Sequence, residues 1–256
     1  MKTSQSAAYS DVDAILQQLL VEAQAVLGEQ FVGLYLTGSL AAGDFNPSRS
    51  DIDFVVVTAN ELDEETVTAL AAMHTKLRNN SSVWTTRLDG DYVPQTALRR
   101  YDPALARYPH LGDDGHFAVE QRGGGAIIQY HTLRENGIVI AGPPIRPLID
   151  PISPDELRQA TLEILHNWWQ PLLPEPTILV GSDYQAYAVL TMCRILYTLQ
   201  FGVIVSKPAA AKWAMGVVDG RFSSLIQQAD AWQNGMPFDK LDETVDFIRY
   251  TLAAAS

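Results

Sequence analysis

The sequence predicts an α/β unit over residues 1–150 followed by an all-helical unit over residues 151–256. Three observations lead there. Two apolar runs in the first half, Phe31-Val32-Gly33-Leu34-Tyr35-Leu36 and Phe54-Val55-Val56-Val57, have the length and β-branched content of buried strands. The second half instead carries helix punctuation. Ser153-Pro154-Asp155-Glu156 offers an N-cap, a proline at N1 and an acid at N3, and Gly202 stands where a helix would end. Between the halves, the segment from Gly142-Pro143-Pro144 to Pro151 reads as a linker, which sets the boundary near 143–153.

The elements follow in order. Residues 10–27 are expected as a helix, with Ser10 at the N-cap, Asp13 three residues on and Gly28 at C′. Strands are expected at 31–37 and 51–57. Residues 61–78 read as a helix with Leu62, Val67, Leu70, Ala71 and Leu77 on its apolar side, and 83–88 as a third strand. The stretch 94–125 is expected to be irregular, because Pro94, Pro103, Pro109 and a Gly-Asp-Asp-Gly turn at 112–115 interrupt it. A short helix over 126–136 should stop at Gly137. In the second half, helices are expected at about 153–169, 183–201, 206–218, 220–233 and 238–254. No internal repeat or low-complexity segment is visible.

Composition narrows the function classes. The formal charge of −12 argues against a nucleic-acid backbone as partner and suits a small cationic molecule, which an acidic cleft would concentrate. No apolar run approaches bilayer length, and the start of the chain lacks a signal-peptide core, so a cytoplasmic location away from membranes is expected. The single cysteine, Cys193, lies in an apolar helical stretch and reads as a core residue. His74, His110, His116 and His166 show no metal-ligand spacing with one another or with Cys193, so no zinc site is expected. A monomer is the default expectation.

The chemistry concentrates in Gly38-Ser39-Leu40-Ala41-Ala42-Gly43-Asp44-Phe45-Asn46-Pro47-Ser48-Arg49-Ser50-Asp51-Ile52-Asp53. Asp51 and Asp53 alternate at the start of the second strand, so both carboxylates point to one face. Two hard oxygen donors beside a small-residue turn can hold a divalent cation against a phosphate chain. Gly38 allows close backbone approach, and Ser39 offers a hydroxyl and an N–H to phosphate oxygens. Asp-x-Asp alone would read as a solvated strand end. The ordered set of strand, Gly-Ser, short loop, Asp-x-Asp and strand is what lifts it.

That set resembles the nucleotidyltransferase superfamily built on the DNA polymerase β-like core. A second block narrows the resemblance. Val189-Leu190-Thr191-Met192-Cys193-Arg194-Ile195-Leu196-Tyr197-Thr198, then Ser206-Lys207-Pro208-Ala209-Ala210-Ala211-Lys212-Trp213-Ala214, resembles the helical C-terminal domain of aminoglycoside adenylyltransferases, the streptomycin and spectinomycin O-nucleotidyltransferases. The resemblance implies a nucleotidyltransferase domain with a small mixed sheet and flanking helices at 1–150. It implies a helical bundle binding substrate and nucleotide at 151–256. Mg²⁺ on Asp51 and Asp53, ATP as co-substrate over Gly38 and Ser39, and an aminoglycoside-type cation as acceptor are likewise implied. Arg194 and Lys207 would reach the nucleotide phosphates. The reaction would be AMP transfer to a hydroxyl with release of pyrophosphate.

The superfamily carries a third carboxylate on a later strand. Asp89, in Arg87-Leu88-Asp89-Gly90-Asp91-Tyr92, is the candidate, as a metal ligand and as the base for the acceptor hydroxyl. The alternative for Asp89 is a turn aspartate, since Asp-Gly is a common turn dipeptide. Relatives carry a glutamate there, so Asp89 is shorter by one methylene. The family also has an acidic residue on the drug-facing side before the C-terminal block; here Asp183 is offset by one and Glu175 is a further candidate. Arg49 and Ser50 either touch phosphate or belong to loop surface. His131 and Arg134 are expected in a structural role, and Trp168-Trp169 in packing. Two rivals remain: a nucleotidyltransferase acting on a protein or metabolite hydroxyl, and a non-catalytic nucleotide binder, against which the presence of both Asp51 and Asp53 counts.

Overall fold

The computed structural model describes residues 2–79, 82–112 and 114–255, with side chains from residue 10 onward. Contacts divide the chain into two units, residues 1–122 with 129–151 and residues 123–128 with 152–256. The first is built on one mixed sheet of six strands. They are β1 (Phe31–Leu36), β2 (Ile52–Thr58), β3 (Leu88–Pro94), β4 (Arg107–Leu111), β5 (Phe117–Gln121) and β6 (Ile138–Ala141), in the order β5-β4-β3-β2-β1-β6. Only β2 and β3 run parallel; every other neighbouring pair is antiparallel. A parallel pair needs a crossover, and the helix between them supplies it. Helices α1 (Lys2–Leu27), α2 (Gly38–Ala42), α3 (Glu64–Arg78), α4 (Gln95–Leu98) and α5 (Gly125–Asn136) accompany the strands.

Strand alternation sorts the side chains. Leu34, Leu36, Ile52, Phe54, Val56, Leu88 and Tyr92 enter one core with Val12, Leu16, Leu19 and Ala23 of α1 and Leu70, Met73 and Leu77 of α3. Asp53, Asp89 and Asp91 take the other parity and therefore the opposite face. His74 of α3 is buried in the aromatic part of the core, its Nε2 2.7 Å from the Tyr92 hydroxyl and its ring packed against Phe117.

The second unit is helical: α6 (Pro154–Ile164), α7 (Ser182–Phe201), α8 (Lys207–Ala214), α9 (Ser223–Ala231) and α10 (Leu241–Ala254). Ser153 and Glu156 form a reciprocal capping box at the start of α6, and Gly202 ends α7 in the left-handed conformation at φ 69°. The long α7 is the hub, burying Ala186, Val189, Met192, Cys193 and Ile195 against Leu225, Ile226, Phe247 and Ile248. Cys193 is fully buried, and burial pushes its thiol up to about 12, as befits a core residue. A π-helical turn over Leu165–Trp169 splits the tryptophan pair: Trp169 is buried, while Trp168 is about half exposed and donates from Nε1 to the Tyr184 hydroxyl.

Several expectations change. The first helix begins at Lys2, so Ser10 lies inside it and does not cap it. The third strand is Leu88–Pro94, and a 3₁₀ turn occupies Val83–Thr86. The stretch expected to be irregular holds β4 and β5, with Pro109 inside β4; Asp113 of the expected turn lies outside the described residues. The residues after Gly137 form β6. The later helices are shorter than expected because 3₁₀ turns and loops take up their ends.

His74 makes stability depend on pH in a known direction. Burial lowers its folded pKa to about 4, below the ordinary 6.5, so the unfolded chain binds the proton more readily. Its contribution is therefore full above about pH 6.5 and is lost as pH falls toward 4, up to about 3 kcal/mol. Denaturant melts at both pH values should show a smaller acid loss in His74→Gln, which keeps a polar group toward Tyr92, than in the unaltered chain.

Candidate active site

The three aspartates singled out in the sequence lie on one face of the sheet. Asp51 immediately precedes β2, and Asp53 is its second residue. In the parallel β2–β3 ladder Asp53 stands directly across from Asp89, the second residue of β3. Cross-strand partners share a face, and Asp51 shares it by alternation. Asp89 is thus at the start of its strand, not the end, and the turn reading of Asp-Gly fails. Gly90 is an in-strand residue on the core side, where a Cβ would come within 2.5 Å of the Phe54 ring. Asp51, Asp53 and Asp89 are all partly exposed.

The loop before Asp51 is held in place. Asn46 Oδ1 accepts from the Ser48 N–H and hydroxyl, and Ser50 Oγ accepts from the Asn46 N–H. Arg87, lying over the Trp84 ring, donates to the Pro47 carbonyl at 2.7 Å, and its own carbonyl accepts from the Ile52 N–H. At the end of β1 the Thr37 N–H donates to the Asp53 carbonyl. The chain then turns at Gly38 with φ +61°, a backbone that L side chains rarely adopt, and a Cβ there would overlap the Asp53 carboxylate. Ser39 Oγ is buried and has no hydrogen-bond partner among the described residues. A buried hydroxyl without a partner is costly unless a ligand satisfies it.

Among the described residues no three His, Cys, Asp or Glu side chains converge tightly enough to enclose an ion. That does not disqualify Mg²⁺. This ion is held through one or two carboxylates plus substrate phosphates, not by an all-protein cage. Hard oxygen donors, an open glycine cradle and an unsatisfied serine hydroxyl fit a Mg²⁺–phosphate group.

One residue of this face escaped the sequence reading. Asp91, two places past Asp89, is fully buried. His110 Nδ1 of β4 lies 3.0 Å from its carboxylate, Gln129 Nε2 of α5 donates to it at 2.7 Å, and Arg122 Nε is 3.5 Å away. Burial alone would lower the His110 pKa, but the Asp91 hydrogen bond and the charges of Asp91 and Asp89 leave it raised. Beyond it, the Tyr108 and Tyr130 hydroxyls meet at 3.1 Å, both held protonated, chiefly by burial. The i, i+2 spacing from Asp89 was the available signal.

Arg194, Lys207, Asp183 and Glu175 lie in the helical unit. Arg194 is on α7, half-buried and not enclosed, and Lys207 opens α8 behind Ser206, whose hydroxyl accepts from the Ala209 N–H. Lys207 Nζ sits 4.3 Å from the Tyr187 ring centroid, and Tyr187 precedes Arg194 by two helical turns. The two cations therefore share one side of α7. Asp183, one turn before Tyr187, spends one carboxylate oxygen on the Tyr184 N–H. Glu175 is exposed ahead of the 3₁₀ turn Thr177–Val180. Arg134, in the first unit, donates to the Arg146 and Ile149 carbonyls and so anchors the second half of the linker, a structural role.

Gly38 and Gly43 give a paired test. Both have positive φ, but a Cβ on Gly43 would meet nothing within 4 Å. Alanine at either position should cost about 1–3 kcal/mol of stability for the backbone. Only Gly38→Ala should also weaken ATP binding, measured by titration calorimetry, because it alone intrudes on Asp53.

The comparisons with known proteins follow the same division. Residues 25–89 match the family model for the nucleotidyltransferase domain, and residues 147–254 match that for the aminoglycoside adenylyltransferase C-terminal domain. An aminoglycoside (3'') (9) adenylyltransferase of Escherichia coli is 26% identical over 266 residues, covering 95% of this chain and 95% of that protein. A spectinomycin 9-adenylyltransferase of Campylobacter jejuni is 24% identical over 84% of this chain and 82% of its own length. The crystal structure of the spectinomycin adenyltransferase AAD(9) from Enterococcus faecialis, with ATP and spectinomycin, shares the fold at a TM-score of 0.77 and 16% identity, covering 94% of this chain and 98% of that one. With one model over the carboxylate strands, the other over the helical half, and relatives matched along nearly their whole length, the chain belongs to the aminoglycoside adenylyltransferase family, a group of nucleotidyltransferases.

Proposed function

We propose that the chain transfers the adenylyl group of ATP to a hydroxyl of an aminoglycoside-type antibiotic, streptomycin- or spectinomycin-like, releasing pyrophosphate. The observation that carries this reading is the cross-strand pairing of Asp53 with Asp89 beside the Gly38 turn. It supports the reading by bringing the carboxylates proposed to hold Mg²⁺ and to face the acceptor to the same surface as the turn proposed to cradle phosphate. The matched relatives are named for adenylylating this drug class.

In the proposed reaction the triphosphate lies over Gly38 and Ser39, whose unpartnered hydroxyl gains a phosphate oxygen. Asp51 and Asp53 would hold Mg²⁺ together with the substrate phosphates, and Asp89 would face the acceptor. When bound, the ion supplies charge neutralisation on the phosphates. Asp89 takes the proton of the acceptor hydroxyl; the acceptor oxygen forms a bond to the α-phosphorus, and the bond to pyrophosphate breaks. Arg194 and Lys207 offset negative charge on the phosphates. The shorter Asp89 side chain needs the acceptor within hydrogen-bond reach, about 3 Å. A net charge of −12 favours a cationic acceptor and disfavours a nucleic acid. Glu175 and Asp183 are the proposed carboxylates toward the drug's amines. No helix of the described residues is long and apolar enough to cross a membrane.

The test is pyrophosphate release from Mg·ATP with streptomycin, spectinomycin, kanamycin, gentamicin or no acceptor. Release should require one of the first two drugs and fall by at least about 100-fold in Asp53→Asn. Lys207→Ala and Arg194→Ala should each raise the ATP KM by about tenfold, the loss of one charge-assisted contact. Binding of Mg·ATP with no release for any drug would overturn the antibiotic reading and redirect the search to protein or metabolite hydroxyls.

A further inference from the structure

Lys207 stands where local preference would not put it. It is the first residue of α8, and that first turn carries no acid. A helix N-terminus is the positive end of the dipole, so a cation there is disfavoured and needs other support. Such breaches of local preference concentrate at functional sites. The backbone at this point is set: Ser206 caps the helix, its Oγ accepting from the Ala209 N–H, and Pro208 follows. One group that holds the side chain is an aromatic face. Lys207 Nζ lies 4.3 Å from the Tyr187 ring centroid. That ring is itself restrained. Its centroid is 5.9 Å from that of the buried Trp169 and 5.4 Å from that of Tyr184, so a stack of rings runs from the core of the helical unit out to the ammonium. Tyr187 is nonetheless 39% exposed, so filling the core is not its main use.

We propose that Tyr187 is a positioning residue for Lys207: its face holds the ammonium on the side of α7 that carries Arg194, ready for the nucleotide phosphates. This role rests on the phosphate contact proposed for Lys207 above. A lysine is a compact charge on a flexible four-carbon stem, with much rotamer freedom to lose on binding. A ring that already restrains it removes part of that cost before the nucleotide arrives. The ammonium need not leave the ring to act. It has three N–H donors, and the ring face takes its charge while a donor turned away from the ring can meet a phosphate oxygen. Arg194 follows Tyr187 by two helical turns, so the ring and both cations share one side of the helix. Tyr187 thus acts through Lys207 and touches no reacting atom.

The experiment is titration calorimetry of Mg·ATP on the full chain. Tyr187→Leu should weaken binding about fivefold, the worth of one half-exposed cation–π contact, and Tyr187→Phe, which keeps the face, should restore it. A second series guards against misfolding of the leucine variant. Mono-, di- and trifluorophenylalanine placed at position 187 drain the negative face of the ring with little change of shape. The Kd for Mg·ATP should rise step by step along that series, and the same series in a Lys207→Ala background should be flat. A ring that merely packs would not respond to fluorination. A flat series in the chain that keeps Lys207 overturns the proposal. So does tighter binding on fluorination, which would mean that the ring holds the ammonium away from the nucleotide, and so does an equal slope without Lys207. If Lys207→Ala itself binds Mg·ATP as tightly as the unaltered chain, the phosphate role of Lys207 falls and the proposal with it. Absence of turnover with every drug would count against the antibiotic reading alone, because the titration needs no acceptor.

Discussion

The parallel pairing of β2 with β3 is the constraint on which the rest of the first unit depends. Both strands open with an aliphatic residue followed by an aspartate, Ile52-Asp53 and Leu88-Asp89, and the ladder aligns them residue for residue. Because strand side chains alternate, a slip of one residue would exchange the aspartates for Phe54 or Gly90 on the polar face and drive a carboxylate into the core. The core itself prevents this. Phe54 fills the space over Gly90, and Ile52, Phe54, Val56, Leu88 and Tyr92 pack as one set against α1 and α3. Hydrophobic burial on one side of the sheet thereby fixes carboxylate geometry on the other.

Around that pair, polar groups are secured by different means according to depth. At the partly exposed end, the loop carrying Asp51 is tied by short local hydrogen bonds and by Arg87 reaching the Pro47 carbonyl. Deeper in, Asp91 cannot rely on water. A buried carboxylate survives only with donors and countercharge arranged about it, and removal of one partner from such a group costs several kcal/mol. Gln129, His110 and Arg122 meet that demand from three separate segments. In the helical unit the arrangement is simpler: Lys207 rests on the Tyr187 face, and Arg194 follows two turns along the same helix.

The parts legible in the sequence were those with local signals. The Gly-Ser turn and Asp-x-Asp flank apolar strands whose pattern is self-contained, and Ser153 to Glu156 and Gly202 announce their helix ends through capping chemistry. What escaped was decided by distant partners. β4 and β5 are short, carry Pro109 and a polar alternation, and become strands because the edge of β3 is there to pair with. Gly90 looked like a turn residue, but its reason is the Phe54 ring brought across by a neighbouring strand. Asp91 carries no local signal that sets it apart. Only the fold separates it from Asp89, by sinking one and leaving the other within reach of solvent.

The enclosed Cys193 has a practical corollary. The chain's one sulfhydryl is sealed inside the helical hub with its ionisation pushed up to about 12, so it offers almost no thiolate to oxidants or alkylating reagents at neutral pH. A cysteine introduced at any exposed position would then be the single labelling handle, with the native background already silent. Fluorophores or spin probes could be attached one at a time without first deleting a core residue, a freedom that proteins with surface thiols do not give.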